Sequence, residues 1–196
     1  GLFATLIIGT IIQQIGLFMG GGTGDLIYEL GKIAAGLTGA GIGVGVARKL
    51  EAGHLVIVSA AVVGMIGAFA GKILSGQVLV DGNLVLAGSG EPLGAFAAAY
   101  LAIEIGILIS GKTKLDIILT PLVCIGTGSA VGLFVGPPIS EFMLWLGSLI
   151  NWGTEQQPFL MGIIVSVLMG MILTLPISSA ALGVILNLSG LAAGAA

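Results

Sequence analysis

The stretch Leu93–Ser110 reads LGAFAAAYLAIEIGILIS and contains a single charged residue, Glu104. A helix needs about 20 mostly apolar residues to cross a bilayer, so this stretch predicts a membrane span. Small residues recur here every four positions, which places them on one face of the helix. Such a face lets two helix backbones approach closely within a membrane, and it therefore predicts a packing surface. Its members are Gly90, Gly94, Ala98, Ala102, Gly106 and Ser110.

Glu104 lies about 200° around the helix from that stripe, with Tyr100 one turn before it. A carboxylate near the middle of a bilayer costs roughly 2.5–3.5 kcal/mol, so we expect it to face protein or water rather than lipid. With a packing face on one side and Glu104 on the other, this helix should be central in the bundle. Two interpretations stay open, a contact with a solute or proton and a structural carboxylate.

The composition of the whole chain agrees with a membrane protein. Of 196 residues, 57% are hydrophobic and 8% are charged, whereas about 25% of a soluble domain is charged. The net charge of −3 leaves no basic patch that could bind nucleic acid. The sequence therefore predicts an all-α polytopic membrane protein surrounded by the lipid bilayer. Residues 1–196 form one predicted membrane domain, expected to belong to a longer chain because both ends fall in apolar, helix-like sequence.

About seven transmembrane or re-entrant helices are predicted from the apolar runs. The seven spans are Gly1–Met19, Ile33–Ala47, Leu55–Ile73, Leu93–Ser110, Leu115–Val135, Phe159–Leu175 and Ile177–Ala196. The polar stretch Asp25–Lys32 is predicted to be a short connection. Gly136-Pro137-Pro138 should stop the fifth span, because proline cannot donate a helix hydrogen bond. Ile139–Trp152 is too short to cross and carries two tryptophans, so it is predicted to be interfacial or re-entrant.

One segment is predicted to leave the helical pattern. In Gln77–Ala87, apolar residues flank Asp81-Gly82-Asn83, which is a turn signal. The pattern therefore predicts a short β-hairpin. An open hairpin would expose unpaired backbone groups to lipid, so we expect it to be extramembrane.

Basic residues predict the orientation of the chain in the membrane. Arg48-Lys49 lies in the second predicted loop and the lysines at 112 and 114 lie in the fourth. The first, third and fifth loops are acidic, and the third carries Asp81 and Glu91. Cytoplasmic loops are the ones rich in lysine and arginine. We therefore expect the second and fourth loops to be cytoplasmic, which places the segment before the sixth span toward the outside.

A polar segment, TEQQ at residues 154–157, directly precedes Pro158 and the sixth predicted span. Carboxylate and amide groups at the edge of a membrane helix can hydrogen-bond a polar solute, and interrupted helices are typical of transporter binding sites. An ordinary polar external loop is the alternative interpretation. The candidate substrate-binding residues are Glu155, Thr154, Gln156, Gln157, Glu104 and Asn187.

Signals for catalysis or cofactors are weak. GILISGKT at Gly106–Thr113 matches the phosphate-loop pattern, but the strand that this motif requires is missing, and we interpret it as a helix stop. The single cysteine, Cys124, excludes a disulfide framework and is expected to be an inert buried thiol. No nucleophile–base pair or metal-binding cluster is evident. No cofactor is expected, and enzymatic activity stays open.

Three segments resemble a known family. TEQQPFLMGIIVSVLMGMILTLPISSAA (Thr154–Ala181), TKLDIILTPL (Thr113–Leu122) and VGPPIS (Val135–Ser140) are similar to bacterial phosphotransferase-system EIIC subunits of the second, stand-alone type. The resemblance runs over nearly the whole chain. Glucose-type members carry a Gly-Ile-Thr-Glu motif whose glutamate contacts sugar. Gly153-Thr154-Glu155 resembles it without the isoleucine, which implies a sugar contact for Glu155.

The resemblance implies a permease of the bacterial cytoplasmic membrane that moves a small polar solute, most simply a sugar. It also implies a cytoplasmic IIB phosphocarrier as partner, and we expect a homo-oligomer. Two alternatives stay open. One is a non-transporting receptor or scaffold with structural polar groups, and the other is a secondary transporter that is not coupled to phosphorylation.

Overall fold

The computed structural model describes residues 3–80, 83–86 and 88–154, together with residues 162, 163, 166, 167 and 170. Two compact units divide the chain, Gly1–Ile139 and Ser140–Ala196. The helices of the described part are α1 (Ile8–Met19, directly after a π-helical turn at Phe3–Ile7), α2 (Gly21–Gly36), α3 (Thr38–Lys49), α4 (His54–Leu74), α5 (Pro92–Ile109) and α6 (Asp116–Thr154).

Among the described residues, α4, α5 and α6 are each long and apolar enough to cross a membrane. Helices α2 and α3 pass the same test together, with a 45° bend between them, which gives up to four candidate spans. The all-α polytopic architecture is thus confirmed, and the predicted third and fourth spans match α4 and α5 to within one residue at each end. The predicted spans Phe159–Leu175 and Ile177–Ala196 lie outside the described residues, apart from five single positions, so the number seven stays a prediction.

The polar stretch Asp25–Lys32 is helical, so the prediction of a connection there is wrong. The chain turns instead at Gly20 and Gly21, whose φ angles of +62° and +66° favour glycine. Helices α1 and α2 then pack closely, because a Cβ at Gly16 would lie 2.5 Å from the amide nitrogen of Tyr28. This close approach of two backbones stabilises α2 as a helix, although the polarity of its residues 25–32 suggests a loop.

Helix α6 continues through Gly136, Pro137 and Pro138, so the predicted helix stop is wrong. Each proline removes one helix hydrogen bond, but a loop at membrane depth would leave more backbone groups unpaired. Packing also supports this turn, since a Cβ at Gly136 would lie 2.6 Å from the Cβ of Ala70 on α4. Residues Ile139–Trp152, predicted to be a separate interfacial or re-entrant segment, continue the same helix.

Two short strands lie between α4 and α5. Strand β1 (Leu79–Val80) pairs antiparallel with β2 (Asn83–Leu84), with Leu79 opposite Leu84. Residues 81, 82 and 87 lie outside the described residues. The complete extramembrane hairpin over Gln77–Ala87 therefore stays a prediction.

Helices of the first unit pack through glycine and alanine. A Cβ at Gly94 of α5 would lie 2.7 Å from the carbonyl oxygen of Gly67 on α4. One at Gly128 of α6 would lie 2.6 Å from the Cβ of Ala102 on α5. The small-residue stripe of α5 is thereby confirmed as a packing surface. The buried cluster that it helps to form comprises Ala47, Val56, Ala60, Val63, Ala98, Ala99, Ala102, Ile103 and Cys124.

The two basic loops lie at the same end of the first unit. A Cβ at Gly53, just before α4, would lie 3.6 Å from the Oγ of Ser110, just after α5. Arg48-Lys49 lies next to the first of these points, and the lysines at 112 and 114 follow the second. The structure therefore places both pairs of basic residues at the same end of the unit, as the charge pattern predicts. That this side is cytoplasmic stays a prediction.

Candidate functional site

Most of the predicted substrate-binding residues fall beyond the described ranges. Thr154 is the last residue of α6, and its backbone is helical. Glu155, Gln156, Gln157 and Asn187 lie outside the described residues. Their roles therefore stay predictions.

Glu104 is the predicted site residue whose surroundings the structure describes. Its side chain is exposed on α5, whereas Ala102 and Ile103 beside it are 0% exposed. Tyr100, one turn earlier, is also exposed, and its ring stacks on Phe96 at 6.0 Å between centroids. The predicted orientation of Glu104 away from the packing face is confirmed. Among the described residues, none forms a hydrogen bond or an ion pair with its carboxylate, which leaves both oxygens able to accept hydrogen bonds.

A second carboxylate, Glu91, lies where α5 begins. The preceding Gly90 has a left-handed φ of +69°, and a Cβ there would lie 2.7 Å from the Cβ of Ala68 on α4. Glycine thus lets this segment lie directly on α4, where the Glu91 amide donates a hydrogen bond to the Ala68 carbonyl at 2.7 Å. Pro92 then starts the helix at a position where no amide hydrogen is needed.

The Glu91 side chain is held in an environment that disfavours charge. Its Oε1 is buried without a hydrogen-bond partner. Burial raises the pKa of this carboxyl to about 7, although the backbone amide of Leu93 lowers it in part. Near neutral pH this group therefore exists in both protonation states, and it can take up or release a proton.

Glu91 also lies close to a break between helices. The predicted span Ile33–Ala47 is divided at Leu37, where α2 and α3 meet at 45°. A Cβ at Gly36 would lie 3.8 Å from the carbonyl oxygen of Gly88, three residues before Glu91. Broken helices in transporters expose backbone groups at the sites where solutes bind. Gly88 of the segment 88–91 therefore lies near the last residue of α2, one position before the break.

Sequence reasoning missed Glu91, because we interpreted it only as a charge in an acidic loop. A signal was nevertheless present. Gly90 belongs to the small-residue stripe, so this position was already expected to contact another helix. Glu91 directly follows this glycine. The carboxylate at the next position could therefore have been expected to lose part of its hydration.

The phosphate-loop pattern does not have the geometry of a nucleotide site. Gly106 is buried inside α5, and Gly111 follows the end of that helix with a φ of +77°. The amide of Gly111 donates to the Oδ1 of Asp116 at 2.9 Å, and the hydroxyl of Thr120 donates to the same oxygen at 2.5 Å. The Asp116 carboxylate thus accepts the hydrogen bond from the amide that a phosphate would need, as expected for a helix stop.

Cysteine and histidine, the residue types that most often bind transition metals, each occur once in the sequence. Cys124 is fully buried with its Sγ 3.3 Å from the carbonyl oxygen of Ala102, which confirms the expected buried thiol. His54 is exposed at the start of α4. In the described part of the chain, no group of three histidine, cysteine, aspartate or glutamate residues could hold a metal ion.

Comparison with known proteins gives one match. The family model described as "Phosphotransferase system, EIIC" matches residues 1–196, the full length of the sequence. No curated protein and no solved structure matches the chain.

Proposed function

The chain belongs to the phosphotransferase-system EIIC family, and from this premise we propose that it is the permease subunit that moves a sugar across the bacterial cytoplasmic membrane. The match over residues 1–196 is the observation that carries the proposal. The candidate membrane spans of the described part support a role within the bilayer. In this role the chain supplies recognition and a path, and the partner IIB phosphocarrier supplies the phosphoryl group.

Sugar recognition requires hydrogen-bond acceptors and donors in a site shielded from water. A carboxylate accepts from two hydroxyl groups at once, and such charge-assisted hydrogen bonds are stronger than neutral ones. Glu104 supports this role because its oxygens have no protein partner among the described residues. We assign further contacts to the segment 154–157, with Glu155 as acceptor and the two glutamines as mixed donors and acceptors, and to Asn187.

The charge distribution supports a direction for the transport cycle. Arg48-Lys49 and the lysines at 112 and 114 share one end of the first unit, and basic loops are retained in the cytoplasm. The IIB phosphocarrier would therefore meet the chain at this end. Sugar would enter from the opposite side and receive its phosphoryl group after crossing.

Uptake into vesicles tests the proposal directly. Vesicles that carry the full chain should accumulate a labelled sugar as its phosphate ester only when phosphoenolpyruvate, the general soluble proteins that pass its phosphoryl group to IIA, and the IIA and IIB proteins are all enclosed. Vesicles without the chain, prepared identically, are the control. Accumulation of unmodified sugar without phosphoenolpyruvate would instead indicate a secondary transporter. No uptake across a panel of sugars would overturn the permease proposal and favour a receptor or scaffold.

A further inference from the structure

The segment 88–91 is attached to α4 by contacts that leave little room. The hydrogen bond from the Glu91 amide to the Ala68 carbonyl is 2.7 Å long. Directly beside it, a Cβ at Gly90 would lie 2.8 Å from the same carbonyl oxygen. Glu91 lies where α5 begins, at the seam between α4 and α5, where the residue is half-buried and its Oε1 is buried. In this arrangement Oε1 is shielded from water.

An ionised carboxylate is poorly accommodated in that seam. The buried Oε1 has no hydrogen-bond partner among the described residues, so ionisation would place part of the charge on an oxygen that is shielded from water. The protonated acid is the form that fits, and burial accordingly raises the pKa of Glu91 to about 7. Ionisation therefore favours a movement of the side chain toward water, and the amide of the same residue is the one that is bonded to α4.

Two lysines lie on helices whose residues contact the segment 88–91. On α4, Lys72 lies one turn beyond Ala68, with its Nζ 5.6 Å from the ring centroid of Phe69. On α2, Lys32 lies one turn before Gly36 and is paired with Glu29 at 3.0 Å. The titratable and charged residues at the opposite end of the unit, toward the basic loops, are Arg48, Lys49, Glu51, His54, Lys112, Lys114 and Asp116.

We propose that Glu91 is a proton-binding site that holds the segment 88–91 on α4 when protonated and releases it when ionised. The proton exchanges with water at the end of the bundle, and no other bond changes. Because Gly88 in the same segment approaches Gly36, release also frees the α2–α3 break. The site thus makes the opening of this end of the bundle depend on proton concentration. The inference does not depend on which solute the chain moves.

Thiol labelling of a cysteine within the segment tests this proposal. Ser89→Cys is introduced into the full chain after Cys124→Ala, so that a single thiol is present. Gly22→Cys in the same background is the matched control, because a Cβ at Gly22 has no atom within 4 Å. The ratio of the two labelling rates cancels the ordinary effect of pH on thiol reactivity. The ratio is measured at pH 6 and pH 8, each with Glu91 and with Glu91→Gln.

Glutamine has the shape of the protonated acid and cannot ionise, so this variant separates the effect of ionisation from that of side-chain shape. We expect the ratio to rise several-fold between pH 6 and pH 8 with Glu91 and to stay constant with Glu91→Gln. A ratio that is constant with Glu91, or that rises equally with Glu91→Gln, would overturn the proposal. If Glu91→Gln fails to fold, the infrared band of a protonated carboxyl gives a second measurement. Loss of that band between pH 6 and pH 8, together with a rising ratio, supports the proposal, and its persistence overturns it.

Discussion

Gly39 of α3 and Gly64 of α4 lie back to back, and each occupies the space that a Cβ on the other would need. A Cβ at Gly39 would lie 2.6 Å from the carbonyl oxygen of Gly64, and a Cβ at Gly64 would meet the carbonyl oxygen of Gly39 even more closely. The obstacle is backbone in both directions, so no change of rotamer can relieve it. The seam between these two helices therefore depends on the absence of two methyl groups.

Gly64→Ala should destabilise the protein, because the added methyl group separates α3 from α4. Overpacking of this kind costs about 1–3 kcal/mol, which lowers the melting temperature in detergent by several degrees for a chain of this size. Gly126→Ala on α6 is the matched control, since a Cβ there has no atom within 4 Å. Alanine favours helix over glycine by about 1 kcal/mol, so this control should melt at the same temperature or higher. Equal losses in both variants would contradict the packing argument.

The conformation of the loop between α5 and α6 should depend on Asp116. Its Oδ1 accepts hydrogen bonds from the Gly111 amide and the Thr120 hydroxyl. Asp116→Ala removes both, so the loop should open and trypsin should cleave after Lys112 or Lys114 several-fold faster. Asp116→Asn keeps an acceptor oxygen and serves as the control, with cleavage close to that of the unchanged chain. Identical cleavage of the alanine variant would show that the loop is held by other contacts.

Stability should fall as pH rises through neutrality, and Glu91 should be the cause. Burial raises the pKa of its carboxyl from 4.5 to about 7. The folded protein therefore binds the proton more tightly than the unfolded chain. The resulting stability is fully present below about pH 4.5 and is lost as pH rises through about 7. Melting curves in detergent at pH 5, 6, 7 and 8 should show this decline, and in Glu91→Gln it should be smaller. A decline of the same size in that variant would assign it to other groups.

The orientation predicted from charge can be checked with two single cysteines. Gly53 lies at the end of the first unit that carries the basic loops, and Asn83 lies in the exposed strand β2. A thiol reagent that cannot cross the membrane, added to intact cells, should label Asn83→Cys and leave Gly53→Cys unmodified until the cells are opened. The reverse pattern would place the basic loops outside the cell.

Hydropathy predicts those features of this fold that depend on length and polarity alone. Helices α4 and α5 follow directly from apolar runs of spanning length, and the buried face of α5 follows from its small residues. The path of α6 through Pro137 does not follow from hydropathy, because it depends on the contact of Gly136 with Ala70, which lies 66 residues earlier in the chain. Glu91 was not predicted as a site residue, because its burial also depends on a contact with a distant part of the chain. Its environment is created by Ala68 on another helix, and the small-residue stripe indicates that Gly90 packs without indicating against which residue.

Glu104→Gln should reduce sugar uptake without reducing stability. The carboxylate is exposed and unpaired among the described residues, so its loss breaks no contact within them. A hydrogen bond to a charged group contributes about 1.5–3 kcal/mol, and its loss should weaken apparent sugar affinity about 10- to 100-fold. Leu108→Ala, one turn further along the exposed face, is the control and should leave uptake unchanged. If Glu104 is instead a structural carboxylate, Glu104→Gln should lower the melting temperature and leave the affinity of the remaining folded protein intact, which would remove it from the site.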